Sequence, residues 1–414
     1  MKLKTLYGLP HKVIFCKKTL ISNQRPSSTI EFAHKVHSKK TTLNIDKNGI
    51  SDTWKYSRIK KQINFKLREE SLLKLLDKHR GKYGKYDCIV PGSGGKDSCY
   101  ATHILKFKYG MNPLTVTWPP ILYTDYGKQN YLNWIKFCKV KNILPNRDEI
   151  LMKFLTRESI INLMHPFQSF MIGQKIFPIK VALKYKIPLI FYGENEAEHG
   201  NKLKDNYSSL RSTYFFSHNQ KNSDELYLAG KKIKTLRKKM NQSNKYKTDD
   251  SSFDIFIPPN IHEIKKLNLQ VHYLGYFIKW IPQETYYYAV ENCGFRPRPF
   301  RTQGTYSKYN SIDDKIDDLH YYTTYIKFGI GRATYDASQE IRNDHLNIDE
   351  GKKLIKKYDG EFPSMYFDQV MNYLDIDPEY FNFIINKFRS PHLWKFENKK
   401  WKLRHTANKD GTDD

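Results

Sequence analysis

Apolar positions change rhythm along this chain. Up to residue 70 they are scattered among Lys, Ser, Thr and Asn, with turn signals at Arg25-Pro26-Ser27 and Asp46-Lys47-Asn48-Gly49, so the segment reads as irregular. Residues 71–80 (SLLKLLDKHR) bring Leu72, Leu73, Leu75 and Leu76 to one helical face, and Gly81 and Gly84 end that helix. From Tyr86 onward, short apolar runs alternate with helical periodicity. Strands are predicted at 87–90, 113–118, 149–154 and 189–192. Helices are predicted at 98–109, stopping at Gly110, at 128–141 with Leu132, Ile135 and Phe137 partly inward, and at 172–185. This alternation predicts an α/β fold with a parallel sheet covered by helices on both faces.

The pattern then loosens. Residues 231–247 (KKIKTLRKKMNQSNKYK) form the densest basic run, low in apolar content, and read as an exposed connector. Residues 273–289 are dense in aromatics. Helices are predicted at 313–325, 333–342, 349–357 and 378–388, with Leu354, Ile355, Phe381, Ile384 and Ile385 as core candidates. The closing run RHTANKDGTDD is polar and reads as frayed. The expected organisation is an N-terminal segment 1–70, a sheet-forming domain 71–205, a basic excursion 206–265, a mainly helical region 266–400 and a tail 401–414.

Composition narrows the class. A chain of 414 residues with 39% hydrophobic and 14% aromatic content can bury a sizeable core, which excludes global disorder. No apolar run approaches the roughly 20 residues of a membrane span, and MKLKTLYGLPHKVIF lacks the apolar stretch and cleavage site of a signal peptide. Cys16, Cys88, Cys99, Cys138 and Cys293 are odd in number and scattered, which fits a reducing cytoplasm better than a disulfide framework. The formal net charge of +27 favours a polyanionic partner, although abundant Lys, Asn, Ile and Tyr point equally to compositional bias.

The most informative segment is Gly92-Ser93-Gly94-Gly95-Lys96-Asp97-Ser98, after a predicted strand and opening a predicted helix. Backbone N–H groups of such a turn, with the helix N-terminus, make a concave anion site, and glycines let a phosphate approach. Ser93 and Ser98 add hydroxyls and Lys96 adds charge. The order is neither a Walker A loop nor the dinucleotide fingerprint. Thr117 and Trp118 end the second strand on the carboxyl edge where open α/β sheets bind ligands. Gly193, Glu194 and Asn195, with Glu196 and Glu198, end a later strand on that edge, where carboxylates can hold Mg²⁺.

The Ser-Gly-Gly-x-Asp-Ser order resembles the pyrophosphate loop of the ATP-pyrophosphatase (PP-loop) superfamily, whose fold is of the adenine nucleotide alpha hydrolase type. Within it, the chain resembles the N-acetyl sugar amidotransferases of lipopolysaccharide and surface-glycan biosynthesis. The blocks that carry this include Cys16-Lys17-Lys18, Ile21-Ser22-Asn23-Gln24-Arg25-Pro26, His165-Pro166-Phe167 with Gly173-Gln174, and 187–198 (IPLIFYGENEAE). They continue through 276–280 (YFIKW), 304–308 (GTYSK), 311–315 (SIDDK), His320-Tyr321-Tyr322, 326–332 (IKFGIGR), 339–343 (QEIRN), 358–363 (YDGEFP) and 388–394 (FRSPHLW). One departure matters. The family usually carries two N-terminal cysteine pairs resembling a zinc knuckle. Here only Cys16 remains, with Thr19, Ser51 and Trp54 at the other places, so no structural zinc is expected.

The resemblance implies that ATP and Mg²⁺ occupy the 71–205 domain. Ser93, Gly94, Gly95, Lys96, Asp97, Ser98, Thr117, Trp118, Gly193, Glu194 and Asn195 would hold the nucleotide, with Glu194 on the metal. Lys96, Asp97 and Ser98 would carry catalysis. It implies that the acetamido oxygen of a nucleotide-linked N-acetyl sugar attacks the α-phosphate of ATP, and that ammonia then displaces AMP to leave an acetamidino group. No cysteine sits in a glutaminase-like setting and position 2 is Lys, so the resemblance implies separate glutaminase and cyclase-like subunits as the ammonia source. Lys308, Lys315, His320, Lys327, Arg332 and Arg342 are the candidates for the diphosphate of the sugar nucleotide, and Asp313, Asp314, Asp336 and Glu340 for meeting its sugar hydroxyls or orienting those cations. The alternative is a PP-loop tRNA-modifying enzyme of thiolase or lysidine synthetase type. Neither paired catalytic cysteines nor an RNA-binding domain is evident, so nucleic acid is not the expected partner.

Overall fold

The computed structural model describes residues 3–194, 203–220 and 222–407. The N-terminal segment is not irregular throughout. Ser51 caps a helix, α1 (Asp52–Gln62), and Asn64 caps α2 (Phe65–His79), longer than the predicted 71–80. On α2 only Leu72 and Leu76 are fully buried, one turn apart, while Leu73 is exposed. Then follow β1 (Cys88–Pro91), α3 (Lys96–His103), a π-helical turn (Ile104–Lys108), β2 (Pro113–Val116), α4 (Asp125–Cys138) and β3 (Asn142–Ile143). Next come α5 (Glu149–Leu163), α6 (Gln168–Tyr185) and β4 (Leu189–Tyr192).

Two expectations fail in this half. The predicted third strand at 149–154 is the first part of α5. Asp148 accepts the Leu151 N–H at 2.9 Å as its N-cap, so the dense apolar run ILMKF belongs to a deeply buried helix. The third strand is the two-residue β3, too short to stand out. On α4, Leu132 and Phe137 are exposed, while Asn130, Asn133, Trp134 and Cys138 are buried. The reason is polar: Asn130 and Asn133 donate to the Arg296 and Gly294 carbonyls at 2.9 and 2.6 Å, and Trp134 donates to Thr102.

Further along, a short hairpin of β5 (Tyr227–Leu228) and β6 (Lys231–Lys232) leads into α7 (Ile233–Asn241). The basic run 231–247 is therefore not a free connector. It folds as an amphipathic helix whose Ile233, Leu236 and Met240 are buried in the main core, with its lysines outward. Then come α8 (Ile261–Leu267), β7 (Gln270–Tyr273), the one-turn α9 (Leu274–Phe277) and α10 (Pro282–Cys293). The C-terminal region holds α11 (Asp317–Phe328), α12 (Arg332–Arg342), α13 (Ile348–Tyr358), α14 (Phe367–Leu374) and α15 (Pro378–Lys387). A hairpin of β8 (Trp394–Glu397) and β9 (Lys400–Leu403) reaches into the stretch expected to be a tail. Of the core candidates there, Ile355, Phe381, Ile384 and Ile385 are buried and Leu354 is half-buried.

The central sheet has order β3-β2-β1-β4-β7 and is parallel throughout. Its residues alternate between two cores. Cys88, Val90, Leu189 and Phe191 face one, with Leu72 and Leu76 of α2 and Phe277 of α9. Ile89, Ile190, Leu114 and Val271 face the other, with α5, α6 and much of the C-terminal region. Burial on both faces explains strands that read as continuous apolar runs. The chain leaves β1 toward β2 on one side and returns past β1 to β4 on the other. The switch point of this topology lies between the carboxyl ends of β1 and β4, which is where such sheets bind ligands.

Candidate functional site

Both segments singled out from sequence meet at that switch point. The glycine-rich loop leaves β1, and Gly193–Glu194 leaves β4. Gly94 has φ +85°, and a Cβ there would lie 2.6 Å from the Tyr131 Cα, so the loop is pressed against α4 in a conformation that favours glycine. Ser98 folds its hydroxyl back onto the Gly95 carbonyl at 2.9 Å. Ser93 hydrogen-bonds Asp313, just before α11. Lys96 donates to Asp97 Oδ2 at 2.6 Å, and Trp280 Nε1 donates to Asp97 Oδ1 at 2.9 Å. Lys96 Nζ also lies 5.5 Å from the centre of the Trp280 ring.

A cleft of about 350 Å³ opens on one side of the loop, with Ser93, Gly95, Asp97 and Ser98 at one end and Val116, Trp118 and Pro178 further along. Tyr192, Gly193 and Glu194 close it from β4, and Arg211 and Tyr273 from beyond. Trp118 fits flat only because position 173 on α6 is glycine; a Cβ there would overlap the indole. Burial raises the Glu194 carboxyl above its ordinary range, and the charge of Asp97 adds to this. Thr117 is absent from the lining. Its hydroxyl accepts from Asn142 of β3 at 3.0 Å, and alternation along the strand end turns Thr117 away from Trp118's side. Asn195, Glu196 and Glu198 lie outside the described residues.

A second cavity of about 340 Å³ lies on the other side of the loop, where Lys96, Asp97 and Glu194 face Trp280, Tyr309, Asp313 and Arg332. A third, of about 300 Å³, adjoins the cleft through Ser28, Met171 and Lys175 and contains His320, Lys327 and Arg332.

The expected sugar-nucleotide residues divide. His320 and Arg332 line cavities, as do Lys327 and Asp313. Lys308 is exposed elsewhere. Lys315 donates to Gln369 on α14 at 3.0 Å. Asp314 is a buried staple whose carboxylate accepts the N–H groups of Ile121, Leu122 and Ile316. Burial raises it to about 7. Glu340 accepts the Tyr306 hydroxyl at 3.0 Å, and buried Arg342 donates to its own helix at Ser338. Asp336 holds Arg332 at 2.8 Å. Sequence reasoning missed Trp280, which sits in the YFIKW block but has no local pattern marking it as a site residue. It also missed Arg25, Lys40 and Lys175, which only the packing brings together.

The positions expected for a zinc knuckle hold an apolar knot. The Ser51 N–H donates to Cys16 Sγ at 3.3 Å, and Cys16 packs with Ile21, Leu43 and Trp54. All five cysteines are buried and none is disulfide-bonded. Burial pushes the Cys88 thiol up, and Cys138 and Cys293, 3.9 Å apart, are also raised.

Comparison with known proteins bears on the C-terminal part. Residues 303–407 match the family described as LPS biosynthesis protein WbpG-like, C-terminal domain. That stretch supplies His320, Lys327 and Arg332. An uncharacterized protein of Methanocaldococcus jannaschii is 35% identical over 85 residues, which is 20% of this chain and 31% of that protein. The chain thus spans about a third of that relative's length. A solved structure of NMN synthetase from Francisella tularensis aligns with 50% of this chain and 93% of its own, at 14% identity and a TM-score of 0.26. No helix among the described residues is long and apolar enough to cross a membrane.

Proposed function

We propose that the chain is an ATP-dependent, AMP-forming amidotransferase that converts the N-acetyl group of a nucleotide-linked sugar to an acetamidino group during surface-glycan biosynthesis. The observation that carries the reading is the loop 92–98 at the switch point, with Lys96, Asp97 and Ser98 in place and a cleft on each side. The match of residues 303–407 to a lipopolysaccharide-biosynthesis domain supports the glycan context.

An amide carbonyl is a poor electrophile, so ammonia does not displace its oxygen directly. Adenylylation makes that oxygen a leaving group. The amide oxygen bonds to the α-phosphorus of ATP as the bond to pyrophosphate breaks. Ammonia then adds to the imidate carbon and AMP departs. The chain's work is positioning and charge stabilisation. Loop N–H groups and Lys96 hold the departing pyrophosphate. Trp118 and Pro178 flank the adenosine end. Asp97 and Glu194 present hard oxygen donors on one cleft, and the raised Glu194 carboxyl is relieved by a cation there, so the pair fits Mg²⁺. The metal would neutralise charge on the phosphates. In this reading ammonia is supplied by separate glutaminase and cyclase-like subunits, as the family resemblance implies, and all five cysteines of this chain are buried rather than presented to a cleft.

The test uses purified protein, ATP, Mg²⁺, ammonium and a panel of nucleotide-linked N-acetyl sugars, read by AMP chromatography and product mass. AMP with exchange of one acetamido oxygen for NH supports the reading. AMP formed only with bulk tRNA replaces it with RNA modification.

A further inference from the structure

The third cavity gathers five cationic side chains from three parts of the chain. Arg25 and Lys40 enter from the N-terminal segment, Lys175 from α6, and Lys327 and Arg332 from the C-terminal region. Among the described residues, Glu31 is the one acid in its lining, and Asp336 offsets Arg332 from outside. Lys327 is only 4% exposed, yet its ammonium donates at 2.6 Å to a neutral acceptor, the Leu163 carbonyl. Lys40 likewise contacts Thr29 Oγ1 and His34 Nδ1, at 3.5 and 3.4 Å. Arg25 lies over the Tyr335 ring at 4.7 Å, and its buried Nε has no hydrogen-bond partner. His165 and His320 stack at 5.2 Å, and Nδ1 of each is buried without a partner. Burial pushes Lys327 down to about 7 and His320 to about 4. Buried cations and ring nitrogens in this state are costly unless an anion completes them.

We propose that this cavity seats the diphosphate of the acceptor substrate, with Arg25, Lys40 and Lys327 as its principal contacts. The shared wall of Ser28, Met171 and Lys175 is then where the acceptor's reacting end enters the ATP cleft. The inference deepens the amidotransferase reading and rests on it only for the acceptor's identity. It also gives the N-terminal segment a role in binding. That segment holds a single cysteine, yet it still delivers Arg25 and Lys40 to the site.

The experiment is calorimetric titration of the full chain with UDP and, separately, GDP, in saturating Mg²⁺ and α,β-methylene-ATP so that the loop is filled. We expect one diphosphate to bind, and Lys327→Met and Arg25→Gln each to weaken it at least about tenfold while the ATP analogue binds as before. Ser98→Ala should show the reverse pattern. Binding near pH 8 should take up protons, seen as an enthalpy that varies with the buffer's ionisation heat, which a loose surface association would not give. Thermal melts confirm that both variants fold. Diphosphate affinity unchanged in both variants, binding abolished by the ATP analogue, or no binding of either diphosphate would each overturn the proposal. If the analogue fails to bind but UDP or GDP still requires Lys327, the cavity assignment stands and the ATP-dependent reading falls.

Discussion

The indole of Trp280 donates to Asp97 Oδ1 at 2.9 Å, joining the glycine-rich loop to a residue 183 positions later in the chain. Lys96 holds the other carboxylate oxygen, so Asp97 is fixed from both sides. Trp280 thereby acts as a positioning residue, and the loop is complete only when the segment after β7 has packed.

Trp280→Phe keeps the ring and removes the donor. A hydrogen bond to a carboxylate is worth about 1.5–3 kcal/mol, so kcat for AMP formation should fall about 10- to 100-fold. The KM for the sugar should move little. A comparable fall in Tm with unchanged kcat would assign Trp280 to stability alone.

Gly173→Ala places a Cβ against the Trp118 indole. Overpacking of this kind costs about 1–3 kcal/mol unless the ring moves, and the cleft it lines is where it can move. Affinity for ATP should drop while the sheet stays intact by circular dichroism. Unchanged ATP affinity would place the adenosine away from Trp118.

Lys327 carries a pH signature. Its folded pKa, about 7, lies below its unfolded value near 10.4, so the folded state binds fewer protons between those limits. Its burial therefore penalises the fold at and below pH 7, and the penalty fades as pH rises toward 10. Lys327→Met should be more stable than the parent at pH 7, on the order of 1 kcal/mol or more, with the difference closing by pH 10. Denaturant melts across that range read this. A constant difference would show that Lys327 is not desolvated in the ligand-free fold.

Glutamine should not replace ammonium for the isolated chain, and adding a glutaminase partner should restore glutamine use. The buried thiols should resist alkylation until the protein unfolds. Glutamine-dependent turnover by the chain alone would contradict the account of ammonia supply.

The fold was legible where local signals were strong. The loop 92–98 between β1 and α3 is marked by glycines, of which Gly94 is required by the close approach to Tyr131, and β4 by an unbroken apolar run. The two-residue β3 was hidden because it is held by pairing with β2, and the start of α5 read as a strand because Ile150, Leu151, Met152 and Phe154 form a short apolar run, while the polar stripe of Glu149, Lys153 and Arg157 shows only over the full helix. Helix α7 was concealed by its lysines, although Ile233, Leu236 and Met240 already stood at helical spacing. At the site, residues next to the loop could be found from the motif. Trp280, Arg25 and Lys40 could not, because they reach it only through tertiary packing. Asp314 and Lys315 carried the right chemistry, but neighbouring backbone amides and Gln369 claim them.

The central claim is that the acetamido oxygen is adenylylated. With the acceptor found in the sugar panel, its amide oxygen is labelled with ¹⁸O and turned over with ATP, Mg²⁺ and ammonium. The account predicts that the label appears in the phosphate of AMP and that the pyrophosphate is unlabelled. Unlabelled AMP, or ADP with labelled inorganic phosphate, would contradict it.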